Sequence, residues 1–386
     1  MKRTFRDWIA DSLLFFIRPI VLFLMKRQMK VVHTGPTIGR DHEPFILISN
    51  HFNTWDSFVV MKHVKKAIRF VATEVAYFDQ SKKHLLKHIA RTIKKRVGRN
   101  EYKAAKQIYT SLQQGYAIGL FPEGDNTYYG ETVDIFSSTG KLLKRSGVDV
   151  ILIKQQGGYL SQPRWADTFA KPGIVHTTTS TLFHKEELKN LSIATINQTV
   201  EAAIYNNDYE FQRDQMINFR RKNRAEGIER LVYWCTNCGS ILSVYGKGHD
   251  IMCEHCGTIG TFNEYEFIEG NKHDNLVDYN HEQYTHMEDV IASTFSFDVT
   301  LNIVDERKLK NKSKGTYTLT YQDKTLTLTN GTDTLVFDLH KMRYPVNTMR
   351  HSFSFDYENQ YYNFTDIRHQ FVLYEMCRYI NGSYKE

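Results

Sequence analysis

The 386-residue sequence predicts an α/β domain with a mostly parallel sheet, preceded by apolar helices and followed by a cysteine module and an antiparallel β domain. Three observations predict this organisation. Strand-like and helix-like segments alternate up to about Arg220, two Cys-x-x-Cys pairs follow, and the remainder alternates apolar and polar residues with a period of two. The expected domains are the N-terminal helices at 1–30, the α/β domain at 31–228, the cysteine module at 229–268 and the β domain at 285–386.

The N-terminal segment contains the apolar run "WIADSLLFFIRPIVLFLM", which is nearly long enough to span a bilayer. Asp11, Arg18 and Pro19 interrupt it, and a charge at the centre of a bilayer costs roughly 2.5 to 3.5 kcal/mol on insertion scales. We therefore expect a helix or helix pair that lies in the membrane interface. The alternative is an apolar helix buried in the protein core, but the basic residues that directly follow the run favour the membrane.

Strand and helix patterns alternate along the α/β domain. The strand-like segments are "PFILISN", "AIRFVAT", "YAIGLF" and "VDVILIKQQGG". The helix-like segments are "TWDSFVVMKHVKKAI", the basic "KKHLLKHIARTIKK", and "EYKAAKQIYTSLQQG", which Gly115 closes. In such a domain the carboxyl ends of the strands carry the chemistry.

The charge is uneven along the chain. The net charge is +7, and between Met61 and Thr110 there are 14 Lys or Arg residues against three acids. This surplus favours anionic partners such as lipid head groups, although a solvated helix face is the simplest alternative. We expect no nucleic acid as a partner, because base-stacking aromatic residues are sparse among these lysines.

The stretch "NHFNTWDS" places His51 and Asp56 five residues apart, a spacing that separates two side chains on one continuous helix. Asn53 and Thr54 are both good N-cap residues, so we expect the helix to begin there. The imidazole could then fold back onto Asp56, which would fix its tautomer and leave the other ring nitrogen as a general base. The alternative is a capping aspartate beside a solvent-facing histidine.

A second motif, Phe121-Pro122-Glu123-Gly124, directly follows an apolar strand. Together and in this order, "NHFNTWD" and "FPEG" resemble the glycerolipid acyltransferase family typified by lysophosphatidate acyltransferase, over roughly Phe45 to Gln155. The resemblance implies a glycerolipid-acyltransferase-like core that transfers a fatty acyl group from acyl-CoA or acyl carrier protein to the hydroxyl of a lysophosphatidate-like glycerophospholipid. Together with the N-terminal apolar segment and the use of cysteine described below, we expect a peripheral or monotopic enzyme at the cytoplasmic face of the cell membrane.

Carried over to this sequence, the resemblance makes His51 the general base and Asp56 the residue that orients it. It assigns acceptor binding to Phe121, Pro122, Glu123 and Gly124, and contact with the acceptor phosphate to Gly98 and Arg99. One departure is that family members often continue the Glu-Gly pair with Thr-Arg-Ser, whereas Asp125-Asn126-Thr127 stands here, so an arginine is missing. Arg164 is a candidate replacement. The alternative function is a catalytically inactive lipid-binding or membrane-assembly protein built on an acyltransferase core.

The cysteine module carries two pairs separated by 14 residues, namely Cys235, Cys238, Cys253 and Cys256. Each pair is followed by glycine, which is typical of a zinc ribbon with a closed, structural Zn²⁺ site. Redox chemistry of a Cys-x-x-Cys pair is the alternative, but two matched pairs favour metal. This use of cysteine predicts a compartment that keeps thiols reduced, such as the cytoplasm.

The C-terminal region contains several short segments with period-two alternation and ends in one amphipathic helix at "DIRHQFVLYEMCRYI". This pattern predicts a small β-sandwich or barrel and looks like a pleckstrin-homology-type module.

Overall fold

The computed structural model describes residues 4–53, 55–77, 83–95, 101–305, 310–348 and 352–382. The described residues form two compact units. The first is built from residues up to 219, except 164–169, and the second from 164–169 and the residues from 220 onwards.

The first unit is an α/β domain. Its helices are α1 (Phe5–Gln28), α2 (Asp56–His63), α3 (Glu101–Gln113), α4 (Ser138–Ser146), α5 (Gly158–Ser161), α6 (Lys185–Asn190), α7 (Ile193–Ile204) and α8 (Asp208–Gln215). Its strands are β1 (Met29–Thr34), β2 (Phe45–Ile48), β3 (Ile68–Thr73), β4 (Ile93–Lys95), β5 (Ala117–Leu120), β6 (Asp149–Gln156) and β7 (Gly173–Phe183). The strands form one sheet in the order β1-β7-β6-β2-β5-β3-β4.

The centre of this sheet is parallel and buried. Strands β6, β2, β5, β3 and β4 run in one direction, and every residue of β2 and β5 is buried. Strands covered on both faces read as continuous apolar runs, and that pattern made them recognisable in the sequence. Because parallel strands end at the same edge, the loops after β2, β5 and β6 meet there, which brings the two predicted motifs together. The predicted α/β class with a mostly parallel sheet is confirmed.

The region before residue 31 contains one described helix, α1, with Pro19 inside it, as one form of the predicted helix or helix pair. Two other details of the first unit differ from the sequence prediction. Strands β1 and β7 were not predicted; they pair in parallel with each other, while β7 runs antiparallel to β6. The described part of the basic segment, residues 83–95, is not one amphipathic helix, because its helical residues end at the π-helical turn Leu85–Ile89 and β4, which pairs with β3, follows.

The second unit contains two antiparallel sheets. The smaller has the order β11-β10-β9-β8, from β8 (Val244–Lys247), β9 (Asp250–Cys253), β10 (Gly257–Phe262) and β11 (Ile268–Glu269). The acidic segment that follows folds as α9 (Leu276–Thr285) and α10 (Met287–Ala292).

The larger sheet has the order β15-β14-β13-β12-β18-β17-β16. Its strands are β12 (Phe295–Asp305), β13 (Lys310–Gln322), β14 (Thr325–Thr329), β15 (Thr334–Asp338), β16 (Arg343–Thr348), β17 (Ser352–Tyr357) and β18 (Gln360–Thr365). Phe337, Phe353, Phe355 and Phe364 are buried in its core, and α11 (Gln370–Asn381) closes the chain. The predicted C-terminal antiparallel sheet is confirmed, although β16 was not foreseen.

Candidate active site and cysteine cluster

The loop that carries His51 leaves β2 from a rigid position. Asn50 Nδ2 donates to the carbonyl of Gln155 at 2.7 Å, and the Gln155 amide donates to Asn50 Oδ1 at 2.8 Å. The Ser49 hydroxyl donates to the Ile153 carbonyl at 2.5 Å. These bonds hold the end of β2 against the end of β6, so the backbone enters the His51 loop in a single orientation.

The backbone bends between His51 and Asp56, and the two side chains meet. His51 Nδ1 is hydrogen-bonded to Asp56 Oδ2. Helix α2 begins at Asp56 rather than at the predicted Asn53 or Thr54, of which Thr54 lies outside the described residues. Asn53 does not cap α2 in the predicted way; its Oδ1 accepts the Trp55 amide at 2.7 Å.

Asp56 is fully buried and organises the whole turn. Its Oδ2 accepts the amide of Phe52 at 2.8 Å, and both carboxylate oxygens lie 3.2 Å from the amide of Asn53. A carboxylate that accepts several N–H groups is held in one position. The geometry therefore leaves Asp56 to fix the imidazole while His51 Nε2 faces away from it.

Glu123 connects the second motif to the first. Its Oε1 accepts the His51 amide at 2.7 Å, its Oε2 accepts the Val133 amide at 3.0 Å, and the side chain is completely buried. The resemblance assigned Glu123 to acceptor binding. In the structure its two carboxylate oxygens bond the backbone of the His51 loop and of residue 133, so its observed contacts support the site from within.

The remaining residues of the FPEG turn shape the space around the histidine. The ring of Phe121 stacks on the imidazole of His51 with centroids 4.3 Å apart. Gly124 has a φ of +72°, and a Cβ there would lie 2.2 Å from the Phe136 ring. Lys95 Nζ lies 4.0 Å from the centroid of that ring. A side chain at position 124 would therefore displace Phe136, which carries a cation beside the turn.

The surroundings of His51 favour a protonated imidazole more strongly than water does. Burial lowers its pKa, but the carboxylates of Asp56, Glu123 and Asp125 outweigh burial and raise the pKa of His51 above its usual value. The side chain keeps 21% of its surface exposed. This combination gives a basic, accessible imidazole, as proton transfer from a substrate hydroxyl requires.

Asp208 supports the site without having been predicted from the sequence. Its carboxylate accepts the amides of Gly157 and Tyr159, each at 2.8 Å, and so holds the turn after β6. A Cβ at Gly158 would lie 2.4 Å from the Phe52 ring. The glycine pair of "QQGG" was the available signal, since close backbone approach is a common reason for glycine.

The other predicted binding residues are spread differently. Gly98 and Arg99 lie outside the described residues. Asp125, which stands in place of the family's threonine, accepts a hydrogen bond from the Tyr128 hydroxyl at 2.5 Å. Arg164 belongs to the second unit, where its guanidinium donates to the carbonyl of Asn347 at 2.8 Å.

Helix α1 has a polar side and an apolar side. Asp7, Asp11 and Arg18, spaced by four and seven residues, share one face and contact the α/β domain. Asp7 accepts from Arg69 at 2.6 Å, and Asp11 accepts from the Tyr116 hydroxyl at 2.7 Å. The large apolar residues exposed along the helix are Phe5, Trp8, Ile9, Leu13, Phe15, Phe16, Ile20, Phe23 and Leu24. The helix is long and apolar enough to cross a membrane.

The four cysteines come together in the second unit. Their sulfur atoms all lie within 4.8 Å of one another, and Cys238 Sγ is 3.8 Å from Cys253 Sγ. Zn–S bonds of about 2.3 Å in a tetrahedron separate the sulfur atoms by about 3.8 Å, so the donor set fits a zinc ion. Gly239 and Gly257, which follow the two pairs, have φ values of +70° and +74°. These left-handed conformations turn the backbone around the cluster.

The sheet, the paired motifs and the polar turn define an acyltransferase-type α/β domain. Residues 30–153 match the sequence model of the family described as Acyltransferase. The match identifies an acyltransferase-family domain over these residues, which confirms the family predicted from the two motifs. It is also similar to the solved 1-acyl-sn-glycerophosphate (LPA) acyltransferase PlsC from Thermotoga maritima, with 17% identity and a TM-score of 0.43 over 55% of this chain and 82% of that chain. Comparison with curated proteins gives no match.

Proposed function

We propose that the protein is a membrane-associated acyltransferase that transfers a fatty acyl group from acyl-CoA or acyl carrier protein to the hydroxyl of a lysophosphatidate-like glycerophospholipid. The observation that carries the proposal is the hydrogen-bonded pair His51–Asp56, placed at the carboxyl edge of the sheet and held by the buried Glu123. The alternative, in which Asp56 merely caps α2, does not explain why the buried Glu123 from the end of another strand holds the backbone of His51.

The reaction follows from the orientation of the imidazole. Asp56 keeps the proton on Nδ1, so Nε2 accepts the proton of the acceptor hydroxyl. The hydroxyl oxygen attacks the carbonyl carbon of the thioester, the C–S bond breaks, and the thiolate leaves and takes up the proton from His51. One ester and one thiol replace one alcohol and one thioester, and no acyl-enzyme intermediate is needed.

The acceptor would bind along the FPEG turn. We assign contact with its glycerol backbone to Phe121, Pro122 and Gly124, and contact with its phosphate to Gly98 and Arg99. The guanidinium fork of an arginine suits a phosphate dianion. Glu123 remains part of this binding region through the backbone that it holds.

Helix α1 would lie in the plane of the membrane at its cytoplasmic face. Its exposed apolar residues would enter the lipid, while its charged side contacts the domain along the length of the helix, from Asp7 to Arg18. A helix bound in this way cannot cross the bilayer without taking these charges with it. The free cysteines of the second unit support a compartment that keeps thiols reduced.

The second unit would hold a structural Zn²⁺ through Cys235, Cys238, Cys253 and Cys256. A closed four-thiolate site stabilises a small fold and leaves no open position for chemistry. We propose the ribbon at 229–268 and the β domain at 285–386 as modules appended to an acyltransferase domain at 31–228, with the membrane helix before it.

The experiment that tests this function is an acceptor panel. The full chain, added to phosphatidylcholine vesicles, is incubated with isotope-labelled acyl-CoA or acyl carrier protein and with lysophosphatidate, lysophosphatidylglycerol, lysophosphatidylethanolamine or glycerol 3-phosphate. We expect labelled diacyl product from lysophosphatidate and none with the His51→Ala variant. Transfer to none of the acceptors would favour the inactive lipid-binding alternative.

A further inference from the structure

One residue of α1 reaches the helix that carries Asp56. Arg18 Nη2 donates to the carbonyl of Met61 and, at 2.8 Å, to the carbonyl of Val64. Met61 lies in the last turn of α2, where its carbonyl also accepts the Val64 amide at 3.4 Å, and Val64 is the C-cap residue of the helix. The carbonyls at a helix C-terminus have capacity for such outside donors. A cation at this end also interacts favourably with the helix dipole. Arg18 therefore caps α2 from outside.

The opposite end of α2 is the catalytic end. Asp56 is its first residue, and its carboxylate is bonded to His51. The helix has eight residues, which corresponds to a length of about 12 Å. So short a helix moves as one body, and a shift at its capped end displaces Asp56 at the other end.

Arg18 also lies within the apolar-faced part of α1. Phe16, Ile20 and Phe23, on the neighbouring turns, have 71%, 61% and 61% of their surface exposed. The buried apolar side chains in the described part of α1 are Ala10 and Met25, and four half-buried apolar side chains lie between them. The polar bonds of Asp11 and Arg18 add to the attachment of this stretch. A lipid surface that orders the apolar face would thereby also order the guanidinium of Arg18.

We propose that Arg18 is a positioning residue for the His51–Asp56 pair, through which binding of α1 to a lipid surface fixes α2 and with it the catalytic turn. The proposal rests on the proposed acyl-transfer function for its consequence in turnover, but its structural content concerns only α1, α2 and His51. It makes the protein a surface-activated enzyme whose general base is set correctly when the helix is bound.

The pKa of His51 depends on the position of α2, because Asp56 belongs to this helix. The groups that face this imidazole are Asp56 from α2 and Glu123 and Asp125 from the turn after β5. Glu123 and Asp125 belong to the turn after β5 rather than to α2, so a displacement of α2 would act on the carboxylate of Asp56. If α2 retreats, the largest attractive charge is weakened, and the proton affinity of His51 falls.

The test measures this titration directly. The ring C–H resonance of His51, identified by its loss in His51→Ala, is titrated by NMR in the full chain with and without phosphatidylglycerol–phosphatidylcholine vesicles or small bicelles of the same lipids. The variants are Arg18→Gln, Arg18→Lys and, as matched control, Asp11→Asn, which replaces the charged acceptor of the bond between α1 and Tyr116 by a neutral oxygen and leaves the bonds to α2 in place. Far-UV circular dichroism and metal content establish that each variant is folded.

We expect lipid to raise the titration midpoint of His51 in the native chain, and Arg18→Gln to lower it by about half a pH unit and abolish the lipid effect. Arg18→Lys retains part of the effect, and Asp11→Asn retains all of it. Turnover of Arg18→Gln on vesicles falls about tenfold or more, as misplacement of a catalytic group does. Equal midpoints in Arg18→Gln and the native chain, or an equal shift in Asp11→Asn, would overturn the proposal.

The outcomes also separate this proposal from the function itself. Absence of acyl transfer in the native chain, together with a lipid-dependent midpoint that Arg18→Gln abolishes, contradicts the function and supports the coupling. Acyl transfer by the native chain, together with a titration midpoint of His51 that changes neither with lipid nor in Arg18→Gln, supports the function and contradicts the coupling. If Arg18→Gln does not fold, the comparison of the native chain with and without lipid still decides, since an unchanged midpoint contradicts the coupling.

Discussion

The cysteine cluster and the histidine turn obtain their geometry in different ways. All four sulfur atoms come from the segment 235–256, and a short antiparallel sheet brings them together. The histidine turn depends on distant residues, since Glu123 and Gln155 come from the ends of two other strands. The first site is local in the sequence, and the second exists only when the sheet has formed.

This difference separates what stabilises each site. In the cysteine cluster the proposed metal ion would supply most of the stabilising free energy, because the ribbon strands are short. The histidine turn is stabilised by the sheet instead, and the carboxylates of Asp56 and Glu123 accept hydrogen bonds from its backbone amides. Removal of one ligand should therefore unfold the first site, whereas removal of one side chain should leave the second folded and inactive.

The largest effect is expected for His51→Ala. Loss of the general base should lower acyl transfer by about 10²–10⁴-fold, because proton transfer contributes about that much to catalysis. The variant should stay folded with the metal content of the native chain, and its stability should approach that of the native chain as pH rises. The matched control is His42→Ala, since His42 is exposed, hydrogen-bonds the neighbouring Glu43 carbonyl and packs edge-on against the Phe45 ring, with no contact to the His51 pair described in the structure. Transfer by His51→Ala at the native rate would remove the histidine from the mechanism.

Replacement of a cysteine tests the other half of the comparison. Cys253→Ser should lower the bound metal from one ion per chain to none and expose the amides of 244–262 to hydrogen exchange. Structural zinc contributes apparent folding energies of about 10–16 kcal/mol in zinc-finger peptides, far more than such short strands can replace. The amides of Phe45–Ile48 should stay protected.

The control for this replacement is Cys377→Ala, a buried cysteine of α11 whose sulfur contacts Met342 rather than the cluster. It should keep one metal ion per chain. Full metal binding by Cys253→Ser would mean that the four sulfur atoms do not act as one site.

The same contrast explains which parts of the molecule could be predicted from the sequence. The cysteine cluster follows from spacing alone, and the central strands follow from uninterrupted apolar runs such as Phe45–Ile48. Strands β1 and β7 did not follow, because β1 adjoins the apolar helix and "GIVHTTTSTLF" is rich in threonine and half exposed. Their pairing joins residues more than a hundred positions apart, which no local pattern encodes.

The histidine turn was predictable in its bend but not in its supports. The five-residue spacing predicted a bend between His51 and Asp56, and the bend is present. The helix start was misplaced because Asp56, rather than Asn53, accepts the amides that precede α2. The contact of Glu123 with the His51 amide could not be inferred, because it requires β2 and β5 to be neighbours in the sheet. Similarly, the charge pattern of segment 82–95 favoured a helix, but pairing of Ile93 with Val71 makes its end a strand.

A smaller effect is expected for Glu123→Gln. Glutamine keeps one acceptor oxygen, so either the His51 or the Val133 amide loses its partner and faces an NH₂ group. A buried unsatisfied donor costs about 1–3 kcal/mol, and the free energy of unfolding from urea titration should fall by that amount. Acyl transfer should fall as well, because the His51 loop loses a fixed point.

Glu131→Gln is the matched control for Glu123→Gln. The side chain of Glu131 accepts a bond from the Tyr205 hydroxyl near the surface, and a glutamine oxygen can replace that acceptor. Its effect should stay within about 0.5 kcal/mol, as for most surface substitutions. Equal losses in the two variants would mean that Glu123 is not a special support of the turn.

The smallest effect concerns pH, and it should have opposite signs at the two sites. The pKa of His51 is raised in the folded protein, because the carboxylates of Asp56, Glu123 and Asp125 outweigh burial. The folded state therefore holds more protons than the unfolded state between pH 6.5, the usual value for histidine, and the raised pKa. The stability that His51 contributes is complete below pH 6.5 and declines as pH rises through that window, with a slope of at most about 1.4 kcal/mol per pH unit.

The cysteine cluster should behave in the opposite way, since metal binding needs deprotonated thiols and weakens as pH falls. Urea titrations of the native chain and of His51→Ala at several pH values test the expectation for His51, because the difference in their free energies of unfolding should shrink as pH rises. Metal retention over the same pH range tests the expectation for the cysteine cluster. If the free energy of unfolding of the native chain minus that of His51→Ala grows with pH, the carboxylates around His51 do not stabilise its charged form. In that case acyl transfer would not show the decrease towards low pH, with a midpoint above pH 6.5, that a raised pKa of His51 predicts.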